Sequence, residues 1–160
     1  MSRPGIPLVA GVLGGVGTTI VASALGAYDD DLYVGGAVDV LVCESTVASL
    51  TAAHSAVGRA EYPPILVVVA DVPERSRVPV LPGPVKALAR MVEPHVAAMV
   101  AIPFVSQWRL REDPCVDAAT VLRTGAEVPS WLTEFAAAIT SLVPHVEQLM
   151  RVTRHQSDAA

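Results

Sequence analysis

Four apolar runs punctuate the chain: Ile6–Leu13, Val38–Cys43, Ile65–Ala70 and Val96–Ile102. None alternates cleanly between apolar and polar residues. A strand with one wet face alternates, whereas a strand covered on both faces stays apolar throughout. The runs therefore predict strands of a mainly parallel sheet with helices on both sides. The segments between them carry a helical period instead. Val16–Ala27 is rich in alanine and follows a glycine cluster. Within Thr46–Arg59, the residues Val47, Leu50, Ala53, Ala56 and Val57 fall on one stripe. Pro84–Val92 opens on a proline suited to a first helical turn and places Val85, Leu88, Ala89 and Val92 together. Trp131–Val152 repeats apolar residues from Leu132 to Met150 at helical spacing, with Pro144 expected to bend it.

Strands and helices alternating at these lengths predict an α/β fold, a three-layer sandwich with a mainly parallel sheet and Ile6–Leu13 at its centre. The acidic, glycine-bearing stretch Asp29–Gly36 reads as a loop, and residues 71–84, with four prolines, as irregular chain. Residues 107–130 read as a surface excursion with room for one short helix. Residues 1–154 form a single domain in this reading, and residues 155–160 a disordered, frayed tail.

Composition narrows the function classes. Hydrophobic residues make up 52% of the chain and charged residues 17%, which excludes a disordered protein. No apolar run reaches the roughly 18 residues of a membrane span. The first ten residues lead straight into the glycine turn, without the cleavage segment of a secretory signal, so a cytoplasmic protein is expected. A net charge of −5 gives no nucleic-acid signal. Cys43 and Cys115 lack metal-type spacing, as do His54, His95, His145 and His155, so no metal centre and no catalytic residue is expected. Cys43 also lacks the arginine that a phosphatase loop places six residues on, where Ser49 stands, and there is no Gly-x-Ser-x-Gly elbow.

One motif carries chemistry. Residues 11–20 read GVLGGVGTTI, a glycine-rich turn between the first strand and the first helix. Glycines let the backbone turn tightly and aim N–H groups inward, and the helix start adds partial positive charge. That context suits an anion. The candidate phosphate-binding residues are Gly14, Gly15, Val16, Gly17, Thr18 and Thr19.

The stretch LGGVGTTIVASALGA, residues 13–27, resembles the deviant phosphate loop of ParA/MinD-type (SIMIBI class) P-loop NTPases. Its style is that of the TadZ/CpaE pilus-positioning branch. That family's loop reads Lys-Gly-Gly-x-Gly-Lys-Thr-Thr/Ser. Gly14, Gly15, Val16, Gly17 and Thr19 match it in order, while Leu13 and Thr18 stand where the family has its two lysines. Residues 39–53, DVLVCESTVASLTAA, and residues 101–104, AIPF, resemble later family segments, the second of them beside the adenine.

The resemblance implies that the parallel sheet is P-loop NTPase-like, with ATP or ADP and Mg²⁺ as ligand and Thr19 as the Mg²⁺-ligating hydroxyl. Asp71 and Glu44 end apolar runs and, with Pro103, should share the loop's edge of the sheet. Asp71 reads either as a Walker B-like carboxylate or as a turn cap before Pro73, and Glu44 either as a site acid or as a solvated strand end. Family members are longer, and the part bearing the hydrolytic aspartate is not recognisable between the first helix and the next apolar run. A fixed charge lost at the phosphates costs on the order of 2–5 kcal/mol. Lys86, the one lysine, sits on a separate helix, and Arg75 and Arg77 are the candidate replacements. The expectation is a degenerate scaffold without hydrolysis that works through a protein partner or as a homodimer, in a positioning, partitioning or transfer system. The alternative is a weak ATPase or nucleotide sensor using Asp71.

Overall fold

A computed structural model describes residues 5–72 and 83–160. Five strands form one parallel sheet: β1 (Leu8–Gly11), β2 (Tyr28–Leu32), β3 (Val40–Glu44), β4 (Ile65–Val69) and β5 (Ala98–Ile102). Their order across the sheet is β2-β1-β3-β4-β5. The helices are α1 (Thr18–Leu25), α2 (Val47–Val57), α3 (Gly83–Val92), α4 (Pro114–Thr120) and α5 (Thr133–Asp158).

Two cores explain the unbroken apolar strands. Val9, Val40, Val42, Ile65, Val67, Val100 and Ile102 point to one face, where α1, α4 and α5 cover them with Val21, Ala118, Phe135, Ile139 and Leu142. Ala10, Leu41, Cys43, Leu66 and Val68 point to the other, against Leu50 and Ala53 of α2 and Val85 and Ala89 of α3. The architecture is the expected three-layer sandwich with a parallel sheet. No helix among the described residues is long and apolar enough to cross a membrane.

Several expectations need correction. The middle strand is β3, and Ile6–Leu13 contributes β1, which lies between β2 and β3. The stretch Asp29–Gly36 is not all loop, because Tyr28–Leu32 is an edge strand. Every residue of β2 is exposed, so it carries none of the apolar signal by which buried strands are read. Its pairing is also irregular. Val9 is opposite Asp29 and Gly11 opposite Leu32, so β2 holds one extra residue, with Asp31 at φ 60° and its amide on Asp29 Oδ1 at 2.9 Å. An acidic, bulged edge discourages pairing with another chain.

Residues 107–130 hold the one short helix expected of them, and it packs into the core rather than lying on the surface. They contribute a 3-10 turn, Ser106–Leu110, which begins just before them, and α4, which packs on α1 and buries Ala118. At the far end, α5 runs unbroken past Pro144 and on through His155 to Asp158, where a frayed tail was expected. That last turn is exposed and is held by the helix's own bonds, among them Ser157 Oγ to the Thr153 carbonyl at 3.2 Å.

Candidate functional site

The strand order turns back on itself beside β1. α1 carries the chain from β1 out to β2, and the next link returns it across β1 to β3. In doubly wound sheets a ligand crevice opens at such a reversal, beyond the carboxyl ends of the strands. The glycine loop lies there.

Its glycines have identifiable tasks. Gly17, the residue before α1, has φ 92°, and Gly15 has φ 75°, values that a side chain would strain. A Cβ on Gly17 would lie 3.8 Å from Val69 Cγ2, so the loop leans over β3 toward the end of β4. Gly11 is glycine for a different reason. A Cβ there would overlap Thr18 Oγ1 and come within 3.0 Å of Val16 Cγ2. Val16 itself is buried and pins the loop to the core. No side chain caps α1. Among the described residues, the backbone N–H groups from Leu13 to Ile20 have no hydrogen-bond acceptor, in contrast to Val12, whose N–H donates to the Val42 carbonyl at 3.0 Å.

A cleft of about 330 Å³ opens beside this loop. Its lining includes Gly15, Val16 and Gly17 from the loop, Glu44 from β3, Val69 to Asp71 beyond β4, and Pro103 to Val105 with Trp108 and Arg109 beyond β5. The structure thus brings together six of the sequence-derived residues: Gly15, Val16, Gly17, Glu44, Asp71 and Pro103. Gly14, Thr18 and Thr19 do not line it. Thr18 turns toward Gly11, and Thr19 is exposed on the first turn of α1. Arg75, Arg77 and Pro73 lie outside the described residues.

The two acids are held differently. Asp71 Oδ1 accepts from Ser45 Oγ at 2.7 Å, and the Asp71 amide donates back to the same hydroxyl at 3.2 Å. This pair ties the ends of β3 and β4. The Glu44 amide donates to Ser49 Oγ at 2.8 Å, and Ser49 in turn donates its own amide to Thr46 Oγ1, the N-cap of α2, at 3.1 Å. The Glu44 carboxyl is pushed above its ordinary value by burial first and by the nearby Asp71 second. Beneath it, burial raises the Cys43 thiol to about 12, with Glu44 adding to the shift, so Cys43 is a core residue rather than a nucleophile.

Sequence reasoning missed the far wall. Trp108 stands edge-on to Phe135, with ring centroids 4.9 Å apart, and its Nε1 is buried with no partner among the described residues. The Arg109 guanidinium lies 5.3 Å from the Phe104 ring centroid. The available signal was position, since residues just past the end of a parallel strand share one edge with every other strand end. Among the described residues, no group of three or more His, Cys, Asp and Glu is placed to hold a metal ion.

Comparison with known proteins adds no relative: no family profile, curated protein or solved structure matches the chain.

Proposed function

We propose that the cleft is a nucleotide-binding site, in which the glycine loop receives phosphate, and that the protein acts as a binding scaffold without turnover. One observation carries the reading. A run of backbone N–H groups without acceptors among the described residues borders the same cleft as Glu44, Asp71 and Pro103. Such a loop at a helix start favours an anion through N–H donors and the helix dipole together.

The residues fit Mg-ATP or Mg-ADP in part. Loop N–H groups suit the phosphates, and Glu44 and Asp71 are carboxylates able to take a hydrated Mg²⁺ that screens them from those phosphates. The fixed lysine charge is missing from the loop. Phosphoryl transfer relies on positioned charge, so its loss argues against hydrolysis while leaving the backbone cradle intact. In the partitioning-type reading, the function then lies in a protein partner or a second copy of the chain, with nucleotide as a structural ligand. Asp71 bears on the alternative, a weak ATPase. Its carboxylate is already engaged by Ser45, which favours a structural part for it at the strand ends.

Titration with Mg-ATP and Mg-ADP, followed by thermal unfolding, tests the reading. A ligand at a hundred times its Kd adds roughly 2.7 kcal/mol of stability. Thr18→Lys sharpens the test. The side chain at position 18 leaves the helix over Gly11, where the missing Cβ gives it room. Restoring the charge there should tighten ATP binding by about tenfold or more, without producing turnover. Absence of any nucleotide-induced stabilisation in both proteins overturns the site. ATP hydrolysis by the wild type that is lost in Asp71→Ala would instead establish the ATPase.

A further inference from the structure

A loop without lysine raises the question of which group meets the charge of a phosphate chain. We infer that Arg109, on the wall formed by the turn after β5, supplies the cationic contact to the phosphates of a nucleoside di- or triphosphate in this cleft. The inference rests on the nucleotide reading above and names the charged residue that reading lacks.

Three observations bear on it. First, Arg109 is the one lysine or arginine among the residues lining the cleft, and the other charges there are Glu44 and Asp71. An anion entering beside two carboxylates needs a cation, and the backbone donors of the loop carry only partial charge.

Second, Arg109 is uncommitted in a way its neighbour is not. Arg111 grips Asp117 with both arms, Nε to Oδ2 at 3.0 Å and Nη2 to Oδ1 at 2.9 Å. Among the described residues Arg109 makes no ion pair, with Glu44 and Asp71 or with any other acid. Its contact is instead with the Phe104 ring, 5.3 Å from centroid to guanidinium carbon, which orients the group and leaves its N–H fork available. The fork is the geometry that matches phosphate oxygens.

Third, the same wall holds a further unused donor, Trp108 Nε1, buried and without a partner among the described residues. A buried donor left unpaired is costly, and this one belongs to a residue of the cleft wall. Trp108 and Arg109 of the turn Ser106–Leu110 thus line the same cleft as Gly17 of the loop and Val69 at the end of β4.

The test uses the whole protein and three probes with Mg²⁺: adenosine, ADP and ATP, titrated calorimetrically into wild type, Arg109→Gln and Arg109→Lys. Arg109→Gln should weaken ATP by about tenfold or more, the scale of a lost charge-assisted hydrogen bond, and ADP by less, with adenosine unchanged. Arg109→Lys should recover part of the ATP loss, since it restores charge without the fork. Arg109 is exposed, so the unliganded melting temperature of both variants should match the wild type. Two results overturn the assignment while leaving the nucleotide site standing: ATP affinity in Arg109→Gln within twofold of the wild type, or equal losses for adenosine and ATP. Failure of the wild type to bind any of the three probes overturns the nucleotide reading and the assignment with it.

Discussion

The two ends of the sheet each carry an acid, and they treat it in opposite ways. At the amino end, Asp39 is 6% exposed and fully engaged. Its Oδ2 accepts from the Leu8 amide at 2.7 Å and its Oδ1 from the Tyr62 hydroxyl at 2.8 Å. Its own amide and carbonyl pair with Leu8 and Ile65, so one residue joins the starts of β1, β3 and β4. At the carboxyl end, Glu44 is half-buried, among the described residues its carboxylate has no hydrogen-bond donor, and the charge that shifts it is that of another acid, Asp71. The two positions are five residue steps apart along nearly extended chain, roughly 17 Å. A buried charge that is satisfied on both oxygens is architecture. A carboxylate left beside a like charge at a cleft is tolerated for something other than stability. The difference predicts that damage to the amino end unfolds the protein, whereas damage to the carboxyl end changes what it binds.

The largest effect should come from Asp39→Ala. The change removes a charged acceptor from two donors at once, and each donor left unsatisfied costs on the order of 1–3 kcal/mol. A loss of about 3 kcal/mol is expected, or roughly 6–12 °C in Tm for a chain of this size. Asp39→Asn should cost less, because its oxygen can still accept from Leu8 while its amide donates to the Tyr62 oxygen. Denaturant unfolding of both variants measures this. If Asp39→Ala melts within a degree of the wild type, the acid at the amino end is not structural and the contrast collapses.

A middling effect belongs to Tyr62→Phe, which removes one donor and leaves Asp39 its bond to Leu8. About 1–1.5 kcal/mol should be lost. The phenol supplies an independent reading of the same contact. Its pKa is raised by burial first and then by the Asp39 carboxylate, which accepts its proton and repels the phenolate. A raised folded-state pKa contributes stability in full below the unfolded tyrosine value and loses it as pH climbs toward the folded one. Ultraviolet titration should therefore show Tyr62 ionising late, alongside Tyr33, which burial also raises, and the Tyr62 step should vanish in Tyr62→Phe. Three tyrosines titrating together near their ordinary value would break the amino-end side of the comparison.

How far the sequence carries these sites follows from the same physics. Strands β1, β3, β4 and β5 were legible because burial on both faces demands unbroken apolar residues. Strand β2 was not, because an edge strand of Tyr28, three aspartates and Leu32 buries nothing. The place of β1 beside that edge strand, with β3 in the middle, follows from strand pairing that no single run reveals. The glycine loop was legible because positive φ at Gly15 and Gly17 requires that residue type, and Glu44, Asp71 and Pro103 because parallel strands end on one edge. Arg109 and Trp108 were hidden in a stretch whose composition resembles surface chain. Asp39 sat in view within an apolar run, yet its partner Tyr62 lies 23 residues away, and only the folded chain brings the two within a hydrogen bond.

The smallest effect, and the finest test of the contrast, is Glu44→Gln. Burial raises the folded-state pKa of this carboxyl, and Asp71 adds to the shift. The folded protein therefore holds the Glu44 proton more tightly than the unfolded chain does. By linkage, the contribution of Glu44 is most favourable below about 4.5, the ordinary value, and declines as pH rises through the folded value. Asp39 is the structural acid and Glu44 the strained one, so replacing Glu44 should remove a pH-dependent penalty rather than a bond. Measured from acid to neutral pH, the wild type should lose stability relative to Glu44→Gln across that window, and the variant should be no less stable at pH 7. Asp71→Asn should narrow the difference only in part, because desolvation is the larger cause and remains when the second charge is gone. Isothermal denaturation at a series of pH values reads both curves. A Glu44→Gln protein destabilised at neutral pH to the extent expected of Asp39→Ala would mean that the carboxyl end, too, depends on its acid for folding, and the distinction between the two ends of the sheet would be lost.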